Sequence, residues 1–181
     1  LKSRLQKLTS NKNFHVIPNA LNDSIFRLPD HHSGSKNLLW RGSPTHTRDL
    51  YHLKDEIISI GKKNKITFIG SNPMFITDHI EFIHYEYTSL IHYYSLLKNR
   101  AWGIGIVPLH ENHFNRSKSN ISWIEYTYAG AITIAPDWEE WRKPGVLNYR
   151  TGKELKQLVQ ACAASPQMME DNFQLSKNFI K

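Results

Sequence analysis

The sequence predicts a doubly wound α/β domain, with a mainly parallel sheet and helices on both faces. Two observations predict it. After residue 36, short β-rich apolar runs alternate with amphipathic stretches of helical period, the pattern of successive βαβ units. Several of those runs are apolar throughout, as strands covered on both faces must be. The chain of 181 residues, 40% apolar and 22% charged, is long enough for one globular domain with a sizeable core.

The expected strands are NLLWRG (37–42), KITFIG (65–70), HIEFIHY (79–85), WGIGIVPL (102–109), AITIAP (131–136) and GVLNY (145–149). The expected helices are RDLYHLKDEIISIG (48–61), TSLIHYYSLLKN (88–99), SNISWIEYTYAG (119–130), GKELKQLVQACAA (152–164) and QMMEDNFQLSKNFI (167–180). Residues 1–36 differ: FHVIP reads as a single strand, and the rest as a linker rich in Pro, Asn, Asp and Ser. A lone strand cannot satisfy its own edges, so it joins the main sheet or belongs to a neighbouring domain. The expected division is therefore an inter-domain strand and linker over 1–36 and the α/β domain over 37–181. His31 and His32, in the linker, are expected to be solvated.

The net charge of +7 favours an anionic partner, but the basic residues are scattered, and much of the charge reads as solvated surface. The single cysteine, Cys162, excludes an internal disulfide and fits a reducing compartment. In LVQACAA it reads as a buried structural thiol. No apolar run approaches the roughly 18 residues of a membrane span, and no secretory signal pattern opens the chain. The location expected is cytoplasmic; peripheral membrane contact and a homodimer are compatible with it.

In an open parallel sheet, ligands bind beyond the carboxyl ends of the strands, where the following helices present their N-termini. Three junctions carry suitable residues. After NLLWR comes Gly42-Ser43-Pro44-Thr45-His46-Thr47-Arg48, where the glycine allows close approach and the serine, threonines and arginine can donate to phosphate. After HIEFIHY come Tyr85 and Glu86. After GIGIVPL comes HENHFNRSKSN (110–120), leading into the expected helix. Asn115, Ser117 and Ser119 are N-cap candidates there, and the unpaired N–H groups of a first turn, beside Arg116 and Lys118, make an anion site. Ser117, Ile121 and Glu125, spaced i, i+4, i+8, share a face. Glu125 would then accept bonds from sugar hydroxyls below a bound phosphate, as a nucleotide requires; the plainer alternative is a capping Ser119 and a solvated Glu125.

The segment WGIGIVPLHENHFNRSKSNISWIEYTYAGAITIAP (102–136) resembles the donor-binding motif region of retaining glycosyltransferases of family 4, also called group 1. In that family a strand ending in Pro leads to a helix with a Glu-x7-Glu pattern, then Gly and a strand. The resemblance implies the C-terminal, Rossmann-like half of the two-domain GT-B architecture. It makes Glu125 the glutamate that binds the nucleotide ribose; Ser117 stands where the sugar-contacting glutamate is usual. FHVIPNALND is similar to the family's crossover between domains. NLLWRGSPTHTRDLYHL is similar to its glycine-rich strand end, with Arg48 in place of the phosphate-binding lysine and Ser43 in place of an arginine. The implied donor-binding set is Gly42, Ser43, Arg48, Tyr85, Ser117, Lys118, Ser119, Asn120 and Glu125, with no catalytic residue assigned.

The resemblance further implies a metal-independent, retaining transferase with no cofactor besides its nucleotide-diphosphate sugar. Its acceptor, a saccharide or glycolipid in polysaccharide or glycoconjugate synthesis, would be held by an N-terminal domain outside this chain. His110 and His113 alone are too sparse for a metal site. Trp138 and Trp141, in PDWEEWRKPG, read as packing or as a contact for another domain. Two other functions remain open at this stage. One is a non-catalytic nucleotide-sugar-binding module, suggested by Ser117. The other is a basic nucleic-acid-binding domain, which lacks the aromatic platform and basic stripe such a surface uses.

Overall fold

The structure, a computed structural model, describes residues 19–20, 27–32, 34–87 and 89–180. The strand expected at FHVIP lies outside the described residues. Six parallel strands, β1 (Leu38–Gly42), β2 (Ile66–Gly70), β3 (Ile83–Tyr85), β4 (Ile104–Ile106), β5 (Ile132–Pro136) and β6 (Val146–Tyr149), lie in the order β3-β2-β1-β4-β5-β6. The chain builds outward from β1 to β3, crosses back, and builds outward again from β4 to β6. Strand order therefore reverses between β1 and β4, which opens a crevice at their carboxyl ends.

Alternation along the strands makes two cores. Leu38, Trp40, Ile66, Phe68, Ile104, Ile106, Ile132 and Ile134 face α2 (Lys54–Gly61), α5 (Gly152–Ala164) and α6 (Pro166–Ile180). Leu39, Ile69 and Ala135 face α3 (Leu90–Lys98) and α4 (Ile121–Tyr128), through Tyr93, Leu97, Trp123, Ile124 and Tyr126. Each fully buried aliphatic chain contributes about 1.5–3 kcal/mol, so the sheet is held from both sides. The stretch expected as one helix over 48–61 is two, α1 (Thr47–His52) and α2, because Leu53 leaves helical geometry (φ −114°, ψ 26°) and packs against the first core. At the start of α5, the Thr151 hydroxyl accepts from the Glu154 amide at 3.2 Å, an ordinary N-cap.

Two tyrosines fix the exit of β4. Tyr126 donates to the Ile106 carbonyl (3.0 Å) and accepts from the Arg41 amide (3.3 Å), which ties β4 to β1. Its ring lies flat on Gly105, where a Cβ would come within 2.2 Å of it, so only glycine fits at that point of β4. Tyr149 donates to the Val107 carbonyl (2.9 Å) and accepts from the Leu109 amide (3.3 Å). The strand expected over 102–109 is thus cut to Ile104–Ile106: past it, Pro108 has no N–H to pair and side chains hold the backbone instead. Likewise, only Ile83–Tyr85 of the stretch 79–85 is strand.

His31 is not solvated. It is 8% exposed, its Nδ1 lies 2.8 Å from the Gly130 carbonyl, and its ring stacks on Phe173. Gly130, at φ +78°, ends α4 in the left-handed conformation that glycine adopts freely, and so presents that carbonyl.

Candidate functional site

The crevice between β1 and β4 has a volume of about 160 Å³. Arg41, His46, Lys118 and Ser119 line it with the first turn of α4, across from an apolar wall that includes Pro108 and Trp141. The helix start differs from the expectation. A 3-10 turn spans Asn115–Ser117, Lys118 is extended (φ −72°, ψ 146°), and α4 begins at Ile121 with Asn120 as its cap residue. Ser117 is therefore off the helix and shares no helical face with Ile121 and Glu125. Asn115, Ser117 and Ser119 do not cap it either. Asn120 makes no capping bond; its Oδ1 accepts from Asn19 Nδ2 at 3.4 Å. The opening N–H groups of α4 thus carry no side-chain cap, and the positive end of the helix meets the crevice.

Asp49, on α1 and 5% exposed, fastens the two walls of the crevice together. Its Oδ1 accepts from Asn115 Nδ2 (2.6 Å) and from the His110 amide (3.2 Å), both in the loop after β4. Its Oδ2 lies 3.1 Å from His46 Nδ1 and 3.5 Å from Lys118 Nζ. Burial pushes the Asp49 carboxyl up, but bonds from His46 and Asn115, the Lys118 charge and the His110 amide outweigh it and hold it below the usual value. Burial draws the Lys118 ammonium down, and Asp49 offsets part of that.

A second buried pair lies beneath. Glu125, on α4 and 6% exposed, has Oε2 at 2.5 Å from Arg41 Nη2. Burial pushes its carboxyl up, against the pull of Arg41, Tyr93 and Tyr94. Arg41 lines the crevice, whereas Glu125 does not, although its chain neighbour Tyr126 does.

Of the residues expected at the site, Lys118 and Ser119 reach the crevice. Gly42 lies behind it against the Trp40 ring, and the Ser43 hydroxyl pairs with Thr45 at 2.7 Å. Arg48 is exposed on α1, away from the crevice. Tyr85 lies under the Arg100 guanidinium, 5.0 Å from it, and does not line the crevice either. Ser117 donates to the His113 carbonyl at 3.0 Å. Sequence reasoning missed Arg41 and Asp49, and it gave His46 and Trp141 no place in the donor-binding set. Arg41 had a signal: a cation in the apolar strand LLWRG needs a buried partner, and Glu125 is the one carboxylate in an otherwise apolar helix. Among the described residues no group of three or more His, Cys, Asp or Glu side chains could hold a metal ion, and no helix is long and apolar enough to cross a membrane.

No protein-family model matches the sequence, and comparison with curated proteins finds no match. Solved structures do match. TarM superposes with a TM-score of 0.71 at 14% identity, over 99% of this chain and 38% of TarM. The C-terminal domain of LpcC, a group 1 glycosyl transferase from Francisella tularensis, superposes at 0.61 and 9% identity, over 89% of this chain and 96% of that domain. This is the fold of a GT-B C-terminal domain. The GT-B likeness extends to HepE from Anabaena, solved with UDP and glucose, at 0.68 and 11% identity over 99% of this chain and 55% of HepE. TarM from S. aureus has also been solved with UDP. The chain spans about two-fifths of TarM, so it matches the GT-B C-terminal half rather than the whole.

Proposed function

We propose that the chain is the donor-binding domain of a glycosyltransferase and holds a nucleoside-diphosphate sugar in the crevice between β1 and β4. The observation that carries this is the meeting of Lys118, His46, Arg41 and the uncapped start of α4 at the reversal of strand order. The Lys118 ammonium, the Arg41 guanidinium, the His46 ring and free N–H groups converging on a small, partly apolar crevice suit a diphosphate with a ring system attached. The UDP in the HepE and TarM structures supports the same ligand class. Lys118, His46 and the amides from Ser119 onward would bind the diphosphate and stabilise it as it departs, the electrostatic share of catalysis. The acceptor saccharide or glycolipid, in polysaccharide or glycoconjugate synthesis, would be supplied through a further domain of a longer, cytoplasmic protein.

A second reading, a nucleotide-sugar-binding module without catalysis, draws on Ser117, whose hydroxyl is spent on the His113 carbonyl where the resemblance wants a carboxylate. Calorimetric titration with UDP, GDP, ADP and CMP tests both. Saturable binding of one nucleotide, weakened in Lys118→Ala, is the expected result. No binding by any, or binding indifferent to Lys118, would overturn the crevice as the donor site. Sugar transfer by the full-length protein would decide against the second reading.

A further inference from the structure

We propose that Asp49 is the positioning residue of the crevice, a buried carboxylate that aims Lys118 and His46 at the diphosphate; this rests on the nucleotide-sugar reading above. The puzzle it answers is electrostatic. A carboxylate 3.5 Å from the ammonium expected to meet phosphate repels an anionic ligand and lowers its affinity by charge alone. Its place is explained by what it holds. Lys118 is a flexible chain with about 2 kcal/mol of rotamer entropy to lose, and a fixed partner removes that loss from the binding step. Asp49 supplies it from one oxygen, which also meets His46 Nδ1 at 3.1 Å.

The other oxygen fastens the loop that carries Lys118. It accepts from Asn115 Nδ2 and the His110 amide, so Asp49, on the β1 side, sets where the β4 side stands. Asn115 is itself 2% exposed and also donates to the His110 carbonyl at 2.7 Å, which closes the loop on itself. An ammonium has three donors: Asp49 faces one of them, and because His46 Nδ1 gives its proton to Asp49 it accepts none from Lys118, so two remain for the ligand.

The test is a double-mutant cycle read by calorimetry on the 181-residue chain: wild type, Asp49→Asn, Lys118→Ala and the double variant, each titrated with the preferred nucleoside diphosphate and its nucleoside. Asp49→Asn is expected to weaken the diphosphate about tenfold, the scale of one charge-assisted bond. It leaves the nucleoside within about twofold, and adds no more than about twofold once Lys118 is gone. Charge removal alone predicts the opposite sign, tighter diphosphate binding. Tighter or unchanged binding, equal weakening of the nucleoside, or full additivity with Lys118→Ala would each overturn the positioning role and leave the donor reading standing. A wild type that binds no nucleotide overturns both. If Asp49→Asn melts below the titration temperature, Asn115→Ala carries the same test: a smaller loss on the diphosphate alone supports the role, and none overturns it.

Discussion

Among the described residues, two regions gather basic side chains, and they are built differently. At the carboxyl end of the sheet, Lys118, His46 and Arg41 stand around a crevice of about 160 Å³ and rest on two buried carboxylates, Asp49 and Glu125. Near the start of β2, Lys62, Lys63 and Lys65 line an open groove of about 550 Å³ with His79. All three of these lysines are exposed, and none has an ion-pair partner among the described residues. The larger groove has the looser charge. A solvated lysine must be ordered before it can bind, while a cation on a buried carboxylate is ordered already. Fixed charge, more than total charge, distinguishes a ligand site from a soluble surface.

The largest expected effect separates the two regions by stability. Glu125→Ala leaves the Arg41 guanidinium largely buried and unpaired, a loss of about 3–5 kcal/mol, whereas Lys63→Ala stays within about 0.5 kcal/mol. Denaturant unfolding measures both, and a Glu125→Ala variant as stable as wild type would erase the distinction. Next comes ligand affinity. Lys118→Ala should weaken a nucleoside diphosphate about ten- to a hundredfold, while replacing Lys62, Lys63 and Lys65 together should change it about twofold or less at moderate salt.

A smaller effect concerns pH. The carboxyl of Asp49 is held below its usual value in the fold, so its partners stabilise the protein above the ordinary carboxylate pKa. That contribution fades as pH falls through the lowered folded-state value. The stability gap between wild type and Asp49→Asn should therefore be full near neutrality and close on acidification; a gap that widens in acid would contradict the pairing. The smallest effect is a control. Burial pushes the Cys162 thiol up to about 12, and it shares a core with Ile80, which lines the lysine groove. It should resist thiol reagents in the native protein at neutral pH, in wild type and in the groove variants alike.

Much of this fold was legible in the sequence, because alternating apolar runs and helical periods are local signals. Among the described residues, all six strands lie inside the expected runs, and their parallel pairing follows from the helical crossovers between them. What local pattern could not show was where side chains take over from backbone pairing. WGIGIVPL reads as a long strand, yet Tyr149 and Tyr126, distant in sequence, hold its second half and its end. RDLYHLKDEIISIG has unbroken helical period, yet it turns at Leu53 to pack.

The candidate site was legible at Lys118 and Ser119 and hidden elsewhere. Spacing carried Ser117 onto a helix that begins at Ile121, because Lys118 breaks the turn with an extended backbone. Arg48 drew attention as the basic residue after β1, while Arg41, inside the strand, and His46 are the ones that reach the crevice. Asp49 had no local signal beyond its place three residues after His46, since its partners lie 61 to 69 residues away in the loop after β4.

Backbone amide resonances followed by NMR during titration with UDP, GDP, ADP or CMP would test most directly which cationic region is the ligand site. Saturating shifts concentrated at His46 and from Lys118 to Ser122, with Lys62 to Lys65 unmoved, are the result that fixed charge predicts. Shifts centred on the lysine groove, or spread evenly over the basic surface, would contradict it.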